Sequence, residues 1–412
     1  KKIYNQLATI KKTPWLILTT LTIYFFGIYL SVLRGPHFSD GDSYSVINSF
    51  LIFLDTGLYD PSRGWYGHPI PETVLGFVSY NFGVITSNIL SFTFFYLSIF
   101  FLASVFVEKN KFLFCLLAFS NSILLIDNTN TIDYPFALLF FAVGFFFLRK
   151  SILLSAIFFA FCIGSRANFA LFIYPSLLIY FYFIDQSEIK IKIKNFLVSC
   201  IIITSIGMIF YIPVFIVNDF SISFLKIPFL TKSTSPGWNG GPEFSLTSLV
   251  PRFVFKIYTI LGIFSSLIIF YLLIVNFFKF KLNSKNNLII FFIIIFNLIT
   301  FFFVPTKYLI INPFVIFLYV LLANTVSKKF LRVLIFLNLL QWLISFNLLE
   351  IKYKSENLCD ARHAISAKYT FQIDSGYLAK FFKSLNTAPC YEKELGKYSE
   401  NYLNNRPLKI SK

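Results

Sequence analysis

Thr131-Ile132-Asp133-Tyr134-Pro135-Phe136-Ala137-Leu138-Leu139-Phe140-Phe141-Ala142-Val143-Gly144-Phe145-Phe146-Phe147-Leu148-Arg149-Lys150 is the stretch whose reading decides the fold. An acid in a polar turn opens it, an uncharged apolar run fills it, and a basic pair closes it. Such a run belongs in a bilayer or in the core of a helical bundle. The same unit recurs along the chain. Apolar runs fall at about 14–33, 84–107, 112–126, 134–148, 151–164, 167–184, 196–217, 253–278, 288–304, 308–326 and 330–348. Two pairs of runs are separated only by Asn128-Thr129-Asn130-Thr131 and by Gly164-Ser165-Arg166. These turn-type residues break each pair into two helices. The expectation is an all-α polytopic membrane protein with about eleven transmembrane helices.

Composition agrees. Of 412 residues, 57% are hydrophobic, 13% are charged and 57 residues are Phe. Mean hydropathy is +0.72. A soluble domain, usually roughly half apolar, could not bury that much apolar surface. The net charge of +17 does not point to nucleic acid, because the cations sit in short clusters between apolar runs. The first run is long and no small-residue cleavage site follows it, so it reads as a retained helix rather than a cleaved signal.

The clusters set an orientation. With the N-terminus in the cytoplasm, 17 Lys and Arg fall inside and 8 outside before the tail. Every inside loop contributes, among them Lys109 with Lys111, Arg149 with Lys150, and Lys328, Lys329 with Arg332. That bias follows the positive-inside rule. The outer face then carries the loop 34–83, the turn Asp127–Asp133, Arg166, the loop 218–252, Lys307 and the tail. Residues 1–348 form the transmembrane domain in this reading, and 349–412 a small extracytoplasmic segment. Within the first outer loop, Ile70–Phe82 reads as a juxtamembrane helix starting at Pro71-Glu72, since Pro and an acid suit a first turn. The tail holds Cys359 and Cys390, which either pair in an oxidising compartment or remain two thiols. Cys115, Cys162 and Cys200 lie in apolar runs and read as packing.

The chemistry concentrates in the first outer loop. His37-Phe38-Ser39-Asp40-Gly41-Asp42-Ser43-Tyr44 places two acids near a bilayer, where acids are costly and mark function by default. Asp-x-Asp pairs hold a divalent metal (Mg or Mn) against a diphosphate in nucleotide-sugar enzymes. Nucleotide sugars are cytosolic and this motif faces away, so a donor would have to be carried by a lipid. One Asp would then act as general base on an acceptor, with His37 beside it to orient it or share a metal. The plainer reading is a turn, because Ser-Asp-Gly-Asp is strong turn sequence. Likewise Asp133 before Tyr134-Pro135 suits a helix cap, His68 a loop hydrogen bond, and Glu72 a helix start. In the loop 218–252, Trp238 in Ser235-Pro236-Gly237-Trp238-Asn239-Gly240-Gly241 could stack on a sugar beneath a closing lid.

In order, several patches resemble the GT-C superfamily of integral-membrane glycosyltransferases, in particular the bacterial family related to protein O-mannosyltransferases and to the aminoarabinose transferase of lipid A. They are the acidic motif with Tyr44 after the first helix; Gly57-Leu58-Tyr59-Asp60-Pro61-Ser62-Arg63 with Gly67-His68-Pro69; Thr131 to Leu138; and Gly164-Ser165-Arg166 with Pro305-Thr306-Lys307-Tyr308-Leu309. They span most of residues 15–325; the rest, including 349–412, matches nothing in the family. The resemblance implies that Asp40 or Asp42 is the catalytic base. It makes Asp133 a second acid that positions the acceptor or completes a metal site with Asp40 and Asp42. It makes Arg63, Arg166 and Lys307 the holders of the donor phosphate, with His37, Tyr44, His68 and Trp238 lining the substrate. Some relatives have a Glu in or beside the first motif where this chain has Asp-Gly-Asp. The implied activity is inverting sugar transfer from a polyprenyl phosphate to a cell-surface glycan, lipid or protein, in a bacterial inner membrane, with the site facing away from the cytoplasm. The alternatives are a transporter or flippase for lipid-linked glycans, which predicts mid-helix charges and repeated broken helices, and a non-catalytic assembly subunit.

Overall fold

The structure, a computed structural model, describes residues 14–34, 46, 49, 50, 53, 54, 57–59, 67–82, 84–217, 219, 220, 253, 254, 257, 258, 260–276, 285–303 and 312–352. These residues are helices and short connections, with no strand among them. In chain order α1 is Pro14–Arg34, α2 Pro69–Phe82, α3 Val84–Phe106, α4 Lys111–Ser120, α5 Ser122–Asp127, α6 Tyr134–Leu148 and α7 Ile152–Ser165. A 3₁₀ turn at Ala167–Phe169 leads into α8, Ala170–Ile179, which ends in a π turn at Tyr180–Ile184. Then follow α9 Ile189–Val217, α10 Ile263–Asn276, α11 Lys285–Phe303, α12 Asn312–Thr325 and α13 Lys328–Lys352.

Three helical segments are long and apolar enough to cross a membrane among the described residues: Ile85–Phe106, Ala167–Ile184 and Ile189–Val217. The last has 29 residues and is about 44 Å long at 1.5 Å per residue, more than a hydrocarbon core needs. Leu197, Ile201, Met208, Ile209, Ile212 and Ile216 stand exposed along it. A continuous apolar exterior of this kind is what a bilayer covers, not water.

Helices fall on each apolar run read from the sequence, with four differences. The run 112–126 is two helices, because Asn121 interrupts it. Its side chain accepts from the Ile123 and Leu124 N–H groups at 3.1 and 3.0 Å and so caps α5. Its amide donates to Ile260 O at 2.8 Å and to Tyr319 Oη at 2.9 Å, which satisfies the break inside the bundle. The run 167–184 changes winding twice, with Pro175 inside it. α9 begins at Ile189, so Lys190, Lys192 and Lys194 lie on helix rather than in a loop. Lys is a good helix former and its long stem lets the ammonium reach the interface. α13 runs through Lys352, four residues into the stretch read as the tail.

α6 is the axis of the core. Twelve of its residues are buried, Phe136, Phe141 and Phe145 among them. Phe145 meets Phe106 edge-on at 5.0 Å and Phe159 at 5.1 Å, while Phe141 meets Phe317 at 5.9 Å. These are edge-to-face arrangements, which favour aromatic pairs beyond their buried area. Gly144 lets α7 approach, since a Cβ there would stand 2.6 Å from the Phe159 ring. The contacts also order the two ends of the bundle. The start of α3 lies beside Thr131 and Ile132, and its end, Phe106, beside Phe145 and Asn324. So α3 and α6 run parallel. The turn 128–133, Arg166 and Asn312 sit at one end, and Lys111, Arg149 and Asn324 at the other.

Candidate active site

The turn before α6 has loop-like composition but is buried throughout, from Asp127 through Asp133. Several of its side chains are bonded within the turn and to neighbouring helices. Asn128 Nδ2 donates to Leu124 O at 2.6 Å, Thr129 Oγ1 to Ile126 O at 2.7 Å and Thr131 Oγ1 to Asn88 Oδ1 at 2.8 Å. Thr131 Oγ1 also bonds Ser87 Oγ, and the Ile132 N–H donates to Ser91 Oγ at 3.3 Å. Asn312 Nδ2 reaches Asp127 Oδ2 from α12 at 3.4 Å. The turn is a rigid platform, and Asp133 is its last residue.

Asp133 occupies the cap position of α6, and its carbonyl accepts from the Phe136 and Ala137 N–H groups at 3.1 and 3.3 Å. Its side chain caps nothing. The carboxylate is fully buried and its Oδ2 accepts from Arg166 Nη1. Arg166 ends α7 in an extended conformation, its N–H bonded to Cys162 O at 2.8 Å. Its guanidinium lies over the Tyr134 ring, with Cζ 3.6 Å from the centroid, and its Nε donates to Asn168 Oδ1 at 3.3 Å. His68 Nε2 stands 3.8 Å from the same Asp133 oxygen. An acid, a stacked guanidinium and an imidazole are thus gathered from three separate helices. Burial makes this pairing strong, and it makes the loss of either partner costly.

His68 immediately precedes α2, and its carbonyl accepts from the Glu72 N–H at 3.0 Å. The helix starts at Pro69, one residue before the Ile70 read from the sequence, and Glu72 lies in its first turn. Pro69, Glu72, Leu75, Gly76 and Ser79 form its buried face. Glu72 is fully buried and accepts a hydrogen bond from Tyr59 Oη. Burial first, and the Glu72 carboxylate second, push the Tyr59 hydroxyl far above its ordinary range, so it stays a donor. Beside this pair lies a cavity of about 360 Å³ with mainly apolar walls from Phe50, Phe53, Pro69, Pro213 and Ile216. His68 and Glu72 are four residues apart on one helical turn, so the charged cluster and the cavity share that turn. Close packing fixes its place: a Cβ on Gly164 would stand 2.7 Å from Ile70 Cδ1.

Of the residues singled out in the sequence, Asp133, Arg166 and His68 are brought together. Arg166 and Asp133, read as phosphate holder and acid, are bonded to each other. Glu72 and Tyr59 enter the site without having been singled out for chemistry. The signal was present, since Glu72 falls in register with Leu75, Gly76 and Ser79 on one face. His37, Asp40, Asp42, Tyr44, Arg63, Trp238, Lys307, Cys359 and Cys390 lie outside the described residues. Among the described residues no group of three or more His, Cys, Asp or Glu could hold a metal. The metal set read from Asp40, Asp42 and Asp133 has only Asp133 among the described residues, and its Oδ2 accepts from the Arg166 guanidinium. No protein-family model, curated protein or solved structure matches the chain.

Proposed function

We propose that the chain is a GT-C-type glycosyltransferase that moves a sugar from a polyprenyl phosphate to an acceptor on the non-cytoplasmic face of a membrane. The observation that supports this best is the buried Asp133–Arg166–His68 cluster at one end of an apolar bundle, adjoining an apolar cavity through one helical turn. A lipid-borne phosphate sugar needs that combination, with an apolar wall for the chain and a cation for the phosphate. In this reading the acceptor hydroxyl gives its proton to Asp40 or Asp42. Its oxygen attacks the anomeric carbon as the bond to the phosphate oxygen breaks, so polyprenyl phosphate leaves and configuration inverts. Arg166, with Arg63 and Lys307, stabilises the charge that builds on the phosphate. Asp133 holds the guanidinium in place and His68 orients the acid.

The test is transfer of label from polyprenyl-phosphate sugars to membrane acceptors by wild type and by Asp40→Asn, Asp42→Asn and Asp133→Asn. Loss in Asp133→Asn and in one of the other two supports the assignment. Equal transfer in all four proteins removes it. A second reading, a non-catalytic assembly subunit, is favoured by one observation: Asp133 and Arg166 neutralise each other as a structural latch would. It predicts no transfer by wild type and loss of a partner complex in Arg166→Met.

A further inference from the structure

At the end of the bundle opposite Asp133, two helices begin side by side. α4 starts at Lys111 and α13 at Lys328. The connections before them are laced together. Asn324 Nδ2 donates to Phe106 O at 2.9 Å, Asn110 Nδ2 to Ala323 O at 3.0 Å and the Glu108 N–H to Asn324 Oδ1 at 2.8 Å. Between the two helix starts lies a cavity of about 550 Å³. Lys111, Lys328 and Arg332 line it, together with Phe112, Leu116 and Ile335, and no carboxylate does. Lys328, Arg332 and Ile335 follow one face of α13 at i, i+4 and i+7, so the wall changes from cationic to apolar along the helix axis. Lys111 Nζ donates to Ser104 O at 3.3 Å. Among the described residues none of the three cations is in an ion pair.

Lysines at helix ends commonly snorkel separately into water. Here cations from two helices converge on one concavity, where their mutual repulsion favours an anion between them. Phe336 and Leu339, exposed further along α13, extend the apolar path away from the charges. We propose that this cavity is a binding site for an anionic glycerophospholipid, with its phosphate among Lys111, Lys328 and Arg332 and its acyl chains against Phe112, Leu116 and Ile335. Basic pockets between helices at a membrane surface recognise such headgroups. The site is separate from the Asp133 cluster and does not rest on the glycosyltransferase reading.

The test is native mass spectrometry of the full chain in detergent, titrated with phosphatidylglycerol, phosphatidylcholine or inorganic phosphate. The variants are Lys111→Gln/Lys328→Gln/Arg332→Gln and a control, Lys190→Gln/Lys192→Gln/Lys194→Gln, which removes as many cations from the start of α9. Phosphatidylglycerol affinity should fall on the order of a hundredfold in the first and hold in the control. Lys328→Gln alone, at an exposed position, should lose roughly fivefold and guards against misfolding of the triple variant. Equal loss in both triple variants, equal binding of phosphatidylcholine, or unchanged affinity in Lys328→Gln overturns the proposal. Displacement of the lipid by inorganic phosphate alone also overturns it, as it would make the cavity a site for free anions.

Discussion

Replacing Arg166 by Met isolates the energetics of the cluster. The Asp133 side chain is 0% exposed and that of Arg166 is 13% exposed. Arg166→Met keeps the packing volume but leaves a buried carboxylate without its guanidinium, a loss of about 3–5 kcal/mol. Asp133→Asn should cost less. The Asn oxygen still accepts from Arg166, which retains its stack on Tyr134, a contact of about 1 kcal/mol. The double variant should lie close to Asp133→Asn, because a neutral Asn beside Met leaves no buried charge. The cycle therefore predicts a coupling about as large as the Arg166→Met loss itself, roughly 3–5 kcal/mol. Equilibrium unfolding of the full chain in mixed micelles measures each corner. If Arg166→Met stays within about 0.5 kcal/mol of wild type, or the two substitutions simply add, the pair is not the buried latch inferred from its geometry.

Tyr59→Phe removes the donor to Glu72 and should cost about 1–3 kcal/mol. Its pH signature is separate. Because folding raises the Tyr59 pKa above the unfolded value of 10.0, its contribution is fully present below that pH and declines above it. Unfolding midpoints between pH 8 and 11 should thus fall more steeply in wild type than in Tyr59→Phe, and parallel curves would contradict the assignment. Gly144→Ala drives a methyl toward the Phe159 ring and should destabilise by about 1–3 kcal/mol, with partial rescue by Phe159→Leu in the same unfolding assay. Asn121→Ala removes the α5 cap and should cost about 0.5–2 kcal/mol for that role alone, plus loss of the bonds to Tyr319 and Ile260. Local hydrogen exchange in Ser122–Asp127 should rise in that variant.

Much of this architecture was legible in the sequence, for particular reasons. The turns at Asn128–Thr131 and Gly164–Arg166 divide the helices where they were expected to, because Asn, Thr and Gly interrupt otherwise unbroken apolar runs. Asn121 went unread because one Asn in an apolar run looks like a tolerated polar residue. Only the tertiary partners Tyr319 and Ile260 turn it into a helix break. Asp133 was open to two readings, cap or acid, since both need an Asp before a Pro-containing first turn. Its side chain caps nothing and pairs with Arg166, thirty-three residues away at the end of another helix, a contact that no local pattern reveals.

Glu72 shows the same limit from the other side. In the chain it is an acid in a first turn, which ordinarily faces solvent near the helix dipole. It is buried because Gly76 lets its face of the helix close against neighbouring side chains: a Cβ at Gly76 would stand 2.3 Å from Phe50 Cβ. His68 stands just before this turn, its carbonyl bonded to the Glu72 N–H and its Nε2 3.8 Å from Asp133. The first turn of α2 and the residue before it therefore set Glu72 in the wall of the cavity and His68 toward the acid. A site assembled this way should respond as a unit. A substitution that displaces the first turn of α2, such as a bulky residue at Gly164, should disturb the Tyr59–Glu72 bond and the His68–Asp133 approach together. A change confined to Tyr59 should leave the Asp133–Arg166 coupling intact.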